Sequence, residues 1–359
     1  MRTCAVLCLT VGLGLAPFSG TCAWRFIGLT KPEHPFQGNI HATNGTTHYG
    51  FQDVNFRREG TAWGDHYETA TSFTPAGWTH STVYATHGDW QAGEAVIGTR
   101  NHPVMWNGTA GSMVSLLPST VYGGTILGMD GQSQVGEVVA QNFYAALWRG
   151  TKESYVNLHP DSARSSQAVA VEGDVQCGRT GYEYGKPVRA ALWRGSKESY
   201  VDMHPSWSTG GSAISAIEGG KQYGGAGSQA CFWSGTPDSA ISMHPEGYLT
   251  SYIFAAKGGV QFGVCQVAGP ASSRRDRLGY WRGSASSWVD LTEYLPANWS
   301  RFQVWCGWSD GERIVLGGNV SGPGYNSQAF VLTNVVPEPN AIFALSLGVL
   351  MVRKRKKAR

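Results

Sequence analysis

An all-β fold, a β-propeller of about seven four-stranded blades, is predicted by three observations. The first is a glycine, read as closing a Gly-rich turn, that recurs at Gly50, Gly93, Gly136, Gly178, Gly224, Gly263 and Gly317, at intervals of 39–54 residues. The second is a Trp that follows it, at Trp63, Trp106, Trp148, Trp193, Trp233 and Trp281, with Leu332 in the last copy. From Trp106 to Trp281 a Gly stands two residues later (Gly108, Gly150, Gly195, Gly235, Gly283) and an aliphatic or Met ten later (Leu116, Leu158, Met203, Met243, Leu291). The third is the content of one unit. In the fourth these are AVAVEG (168–173), VQCG (175–178), AALW (190–193) and YVDM (200–203). Short apolar runs bounded by Gly, Pro, Asp and Ser read as strands. Helical apolar spacing is absent. Four strands in about 40–50 residues is the size of a propeller blade. So small a sheet needs neighbours to cover its faces, and the repeated Trp are expected to fill the space between blades.

The unit at Trp63 is degenerate: Asp65 replaces the Gly and Phe73 stands at the tenth place. The last unit, 311–333, has a Gly turn and an AFVL strand but no fourth strand. Residues 24–32, WRFIGLTKP, read like the end of a unit, so they are expected to supply that strand beside 329–333. Closure of this kind removes exposed strand edges. Six blades with ragged ends is the alternative, because the first and last copies are the weakest.

Three segments follow. Residues 1–23 read as an export signal: Arg2, an apolar core at 4–15, and Thr21-Cys22-Ala23 at the cleavage point. Residues 24–335 form the propeller. Residues 336–359 differ in kind: Val336-Pro337-Glu338-Pro339, an apolar stretch at 341–352 expected to be a C-terminal hydrophobic helix, then the basic cluster from Arg353. Twelve helical residues span about 18 Å, short of a hydrocarbon core of about 30 Å. That suits a transient membrane intermediate better than a permanent anchor.

Glycine is 48 of 359 residues, about twice the usual share, and charged residues are only 15%, as a turn-rich β protein requires. Net charge is +3, and 353–359 supply six basic residues. The body is therefore near neutral to slightly acidic, which argues against nucleic acid as a partner. Cys177, Cys231, Cys265 and Cys306 remain after the signal. They fall in four successive units at unlike positions without a CxxC pattern, so buried thiols and disulfides both stay open and no zinc site is expected.

Nothing in the sequence selects a catalytic constellation. His159, His204 and His244 each precede a Pro at the same place in successive units. Equivalent positions in adjacent blades lie roughly 10 Å apart or more, whereas zinc ligands each come within about 2 Å of one ion, so these His read as turn residues. There is no Gly-x-Ser-x-Gly or His-Glu-x-x-His. No cofactor is implied. Loops after the first and third strands are short and uniform; those after the second and fourth vary. The variable class carries Trp78, Tyr182, Tyr184, Trp207, Tyr248, Arg274, Arg275, Arg277, Trp299 and Tyr325. Variable loops on a rigid scaffold are where binding usually lives. These side chains are candidates for stacking on sugar rings or packing on a protein; the alternative is that the aromatics fold back as loop anchors.

Two resemblances add to this. Gly131-Gln132 with Val135-Gly136, then Ala145-Ala146-Leu147-Trp148, and the Ala329-Phe330 pair, resemble the HAF repeats of exported bacterial proteins over about residues 39–333. The resemblance implies a propeller-like β fold and no known activity. Val336, Pro337, Glu338 and Pro339, followed by an apolar stretch and a basic cluster, are similar to the PEP-CTERM sorting signal. That implies a Gram-negative-type bacterium, export, transient inner-membrane anchoring and removal of the tail by an exosortase-like enzyme. The expected function is an exported, non-enzymatic propeller at the cell envelope or outside the cell, binding exopolysaccharide or a protein. The alternative is an extracellular polysaccharide lyase or glycoside hydrolase with its site in the central channel.

Overall fold

The computed structural model describes residues 23–30, 37–181, 185–269, 275–322 and 325–335. The export signal up to residue 22, Tyr182, Tyr184, Arg274, the 336–339 motif and the expected C-terminal helix lie outside them. Among the described residues no helix is long and apolar enough to cross a membrane.

Seven four-stranded antiparallel sheets make a seven-bladed propeller. Blades 1 to 6 run in chain order, each a meander from the innermost strand outward, with innermost strands Gly38–Thr43, His80–His87, Gly123–Asp130, Ser165–Glu172, Ser212–Glu218 and Thr250–Lys257. Their outermost strands are two residues long and follow a three-residue 3-10 turn, such as Lys152–Ser154 before Val156–Asn157. Blade 7 consists of Arg301–Ser309, Ile314–Gly322 and Tyr325–Val335, completed by Ala23–Gly28 from the other end of the chain. Its register runs from Ala23 opposite Val335 to Gly28 opposite Phe330. Closure by the N-terminal strand thus occurs as expected, and the count is seven.

The core is a set of wedges between blades. Trp148 packs with Ile126 and Ala146 of its own blade against Ala92 and Met105 of blade 2; Trp193 of blade 4 meets Val135 and Leu147 of blade 3 in the same way. All six repeated Trp are at most 1% exposed.

The spacing of the Trp and the following Gly has a polar cause. In blades 2 to 6 a Gln pairs across the strands with the Trp. Gln134 Oε1 accepts the N–H of Gly150 at 2.8 Å, and Gln91, Gln176, Gln222 and Gln261 repeat the bond to Gly108, Gly195, Gly235 and Gly283. The turn glycine has positive φ, +75° at Gly150, a conformation other residues adopt at a cost. In blade 1 both partners change together: His48 stands for the Gln and Asp65 for the Gly, and His48 Nε2 lies 3.2 Å from Asp65 Oδ1. The hydrogen bond with His48 is the largest cause holding the Asp65 carboxyl below its ordinary range. A depressed carboxylate contributes stability above its unfolded pKa, and that contribution disappears as pH falls through the folded value. Asp65→Asn is therefore expected to lower the urea midpoint near neutral pH and to lower it progressively less as the pH falls below the ordinary carboxylate range. An equal loss at every pH would contradict the pairing.

The three His before Pro are latches between blades. The Ser166 hydroxyl of blade 4 accepts the N–H of Ala145 in blade 3 and meets His159 Nδ1, both at 2.8 Å. Ser212 joins Ala190 to His204, and Ser251 joins Ala230 to His244, with the same geometry. Each His is thus engaged in its own blade junction. Ser212→Ala would leave the Ala190 N–H buried and unpaired, a cost of about 1–3 kcal/mol, readable as a fall in the urea midpoint; an unchanged midpoint would mean the latch carries no weight. The four cysteines are free and buried.

Candidate functional site at the channel mouth

The marker glycine does not close a turn. It lies inside the second strand, and its lack of a Cβ is what the channel is built on. A Cβ at Gly136 would sit 1.9 Å from the carbonyl oxygen of Thr125 on the innermost strand. The same approach recurs in every blade; in the last it belongs to Gly318, whose Cβ would meet the Gln303 carbonyl oxygen, and not to Gly317. The close approach accompanies a β-bulge two residues on, where the pairing register shifts.

One bulge occurs in each innermost strand. Bulges re-aim side chains, and these put a ring of partly exposed residues around the axis. One arc is aromatic: Phe254, Trp305, His41 and Tyr84 of blades 6, 7, 1 and 2. Their rings meet in sequence, Phe254–Trp305 at 6.1 Å, Trp305–His41 at 5.8 Å and His41–Tyr84 at 4.7 Å between centroids. The other arc is small or aliphatic: Leu127, Val169 and Ser215 of blades 3, 4 and 5. Burial, helped by the Arg58 charge, pushes the His41 imidazole down to about 3, so it is neutral across the physiological range.

A second tier stands above this ring, toward the face of the variable loops. It is made by the residue after each marker glycine and its partner on the innermost strand: Thr82 opposite Glu94, Thr125 opposite Glu137, Gln167 opposite Arg179. Glu94 accepts from the Thr125 hydroxyl at 2.9 Å and from Asn101 Nδ2 at 3.0 Å. Glu137 accepts from Gln167 Nε2 at 2.8 Å. Burial raises the Glu137 carboxyl, the Gln167 bond and Arg179 offset part of that, and Glu94 adds to it. Tyr252 covers Gly225 in blade 5, where a Cβ would come within 2.5 Å of its ring.

The loop residues named from the sequence are scattered around the same face. Trp207 is 45% exposed. Trp78 packs on the blade 1–2 core, edge-on to His102 at 5.0 Å. Tyr248 packs on the core between blades 5 and 6, and its hydroxyl accepts from Trp288 Nε1 at 3.0 Å. Trp299 is 5% exposed in a core with Phe302. Three of these four aromatics thus pack against the core as anchors. Arg275 donates to the Val267 carbonyl at 3.3 Å. Arg277 lies 3.6 Å from Asp290. Arg277 and Trp299 come together with Asp290, Thr292 and Glu293 around an open cleft of about 520 Å³ beside blade 6. Tyr325 is in the third strand of blade 7, opposite Gly322.

The channel residues escaped sequence reasoning because the bulge position holds seven different residue types. The marker glycine was the available clue: in blades 1 to 6 its opposite number on the first strand lies one residue before the bulge, and in blade 7 the partner of Gly318 does.

Within the channel Glu94 and Glu137 stand one blade apart, and no hydrogen bond joins them among the described residues. The His–carboxylate pairs His48–Asp65 and His87–Asp130 are at the opposite face. What this fold and mouth define is a seven-bladed propeller with an aromatic and carboxylate-lined axial opening.

No family model matches the chain, and no curated protein matches it. Solved structures do. An oligogalacturonate lyase from Vibrio parahaemolyticus is similar at 9% identity with a TM-score of 0.51, covering 88% of this chain and 98% of that one. An oligogalacturonate lyase in complex with manganese is similar at 11% and 0.50, covering 86% and 93%. Puromycin hydrolase is similar at 12% and 0.48 over 81% of this chain, which spans about half the length of that enzyme. At such identities the likeness is one of fold.

Proposed function

We propose that the protein is an exported, non-enzymatic binding propeller of the cell envelope or extracellular space, which holds an exopolysaccharide or a protein on its variable-loop face. The observation that carries this is the convergence on one face of the variable loops and a channel mouth with accessible aromatic and polar side chains. Concave sites with aromatic walls and a few placed polar groups are where ligands bind. The sorting motif Val336-Pro337-Glu338-Pro339 supports export and processing by an exosortase-like enzyme after transient membrane anchoring.

The chain ends are consistent with display of that mouth. Ala23 and Val335 are partners at the far end of blade 7. Next to them Asn334 Nδ2 donates to the Glu312 carbonyl in the turn after the innermost strand, at 2.7 Å. A tail leaving from Val335 therefore departs from the face opposite the variable loops, and a chain tethered by it would present the mouth away from the membrane.

The test is a glycan and secreted-protein binding screen, run with an assay for polysaccharide turnover. Binding without turnover is expected. Turnover with no stable binding would replace this function with that of a lyase or hydrolase at the same mouth. Mass spectrometry of the protein from its native cells tests the sorting: chains ending near 336–339 are expected, and mature chains still ending in Arg359 would contradict it.

A further inference from the structure

Blades 3 and 4 lie directly across a seven-membered ring from blade 7. The channel therefore sets Glu137 and Arg179 opposite Trp305. Trp305 is 37% exposed although it belongs to an innermost strand. Its indole N–H donates to Asn319 Oδ1 at 3.3 Å, and Asn319 pairs with Gln303 in the same tier as Glu137 and Arg179. The indole thus leans toward that tier. On the other side, Glu137 Oε2 takes the Gln167 bond, while Oε1 has no hydrogen-bond partner among the described residues. The Arg179 guanidinium is exposed and forms no hydrogen bond or ion pair among the described residues. The opening therefore has an aromatic wall facing a spare carboxylate acceptor and a spare guanidinium donor.

We infer that this mouth is a binding site for an uncharged saccharide, with one sugar ring against Trp305 and its hydroxyl edge bonded by Glu137 and Arg179. This rests on the binding function proposed above and names its ligand class and residues. A sugar ring has an apolar face that suits an aromatic ring and a rim of hydroxyls that both donate and accept. A carboxylate beside a guanidinium meets both roles, and hydrogen bonds to charged groups are the stronger ones. The carboxylates also select against acidic sugars. Glu94 and Glu137 outnumber Arg179 in this arc, so a uronide carboxylate would be repelled here.

The experiment uses the full chain in mild detergent, titrated with neutral hexose oligomers and with oligogalacturonate of equal length, alongside a screen of secreted proteins. Neutral oligomers are expected to bind at least about tenfold more tightly than oligogalacturonate. Trp305→Ala, Glu137→Gln and Arg179→Ala are each expected to weaken neutral binding about tenfold, the loss of one good polar or stacking contact. Trp207→Ala on the rim should change it less than about twofold. Arg179 is exposed, so its variant reports on binding even if Trp305→Ala lowers the thermal midpoint. Tighter binding of oligogalacturonate, or neutral binding indifferent to Arg179→Ala and Glu137→Gln, overturns the inference. Capture of a secreted protein with no saccharide bound also overturns it and leaves the broader function standing. Binding of neither class defeats both.

Discussion

A chain lacking Trp24–Leu29 is expected to unfold without the cooperativity of the intact protein and to self-associate. The deletion removes the outer strand of blade 7. Ile27 is 6% exposed and Leu29 is fully buried, and both pack with Ile40, Trp63 and Val331 where blade 7 meets blade 1. Trp24 and Phe26 lie against the core between blades 6 and 7, Phe26 stacked on Phe330 at 5.5 Å. Each such side chain contributes about 1.5–3 kcal/mol when fully buried. Together they amount to on the order of 5–10 kcal/mol, comparable with the whole net stability of an ordinary domain. The loss also bares an edge of Tyr325–Val335, the longest strand of the ring, and bare edges recruit other chains. Thermal denaturation and size-exclusion chromatography check this. A truncated chain that melts and elutes like the intact one would refute closure by the N-terminal strand.

Gly136→Ala is expected to destabilise by more than about 3 kcal/mol, beyond the ordinary range for adding one methyl to a core. The new Cβ would fall 1.9 Å from the Thr125 carbonyl oxygen and 2.9 Å from Ile126 Cα. Both are backbone atoms of the same innermost strand, so no side-chain rotation relieves the contact. The strand must shift, and with it the bulge that places Leu127 in the channel. Gly111→Ala is the control, since nothing lies within 4 Å of the added atom. Urea denaturation of the pair decides: equal midpoints would mean that the glycine spacing has another cause.

Blade size was legible because it rests on residues whose role is the same in blades 2 to 6, and the closing strand because the last unit lacks a fourth strand and residues 24–32 read like the end of a unit. Trp148, Gln134 and Gly150 do one job five times over, so their spacing repeats. The unusual first copy was legible only as an anomaly: that His48 and Asp65 exchange together is visible once the two are seen 3.2 Å apart. The channel was hidden for the opposite reason. His41, Tyr84 and Trp305 occupy equivalent bulges, but the axis imposes no common packing demand on them. Both readings of the loop aromatics stayed open in the sequence for the same reason, since composition cannot say whether a Trp on a variable loop turns inward like Trp299 or outward like Trp207.

Oxidative footprinting of the exposed tryptophans, with and without a bound saccharide or secreted partner, reads the binding face directly. Trp305 at the channel and Trp207 on the variable rim report on one face. Trp90, 39% exposed beside the turn after the innermost strand of blade 2, reports on the other. Protection of Trp305, with or without Trp207, and an unchanged rate at Trp90 is the result expected of a propeller that binds at its channel mouth. Protection of Trp90 with Trp305 and Trp207 unchanged would place the ligand on the opposite face and contradict it.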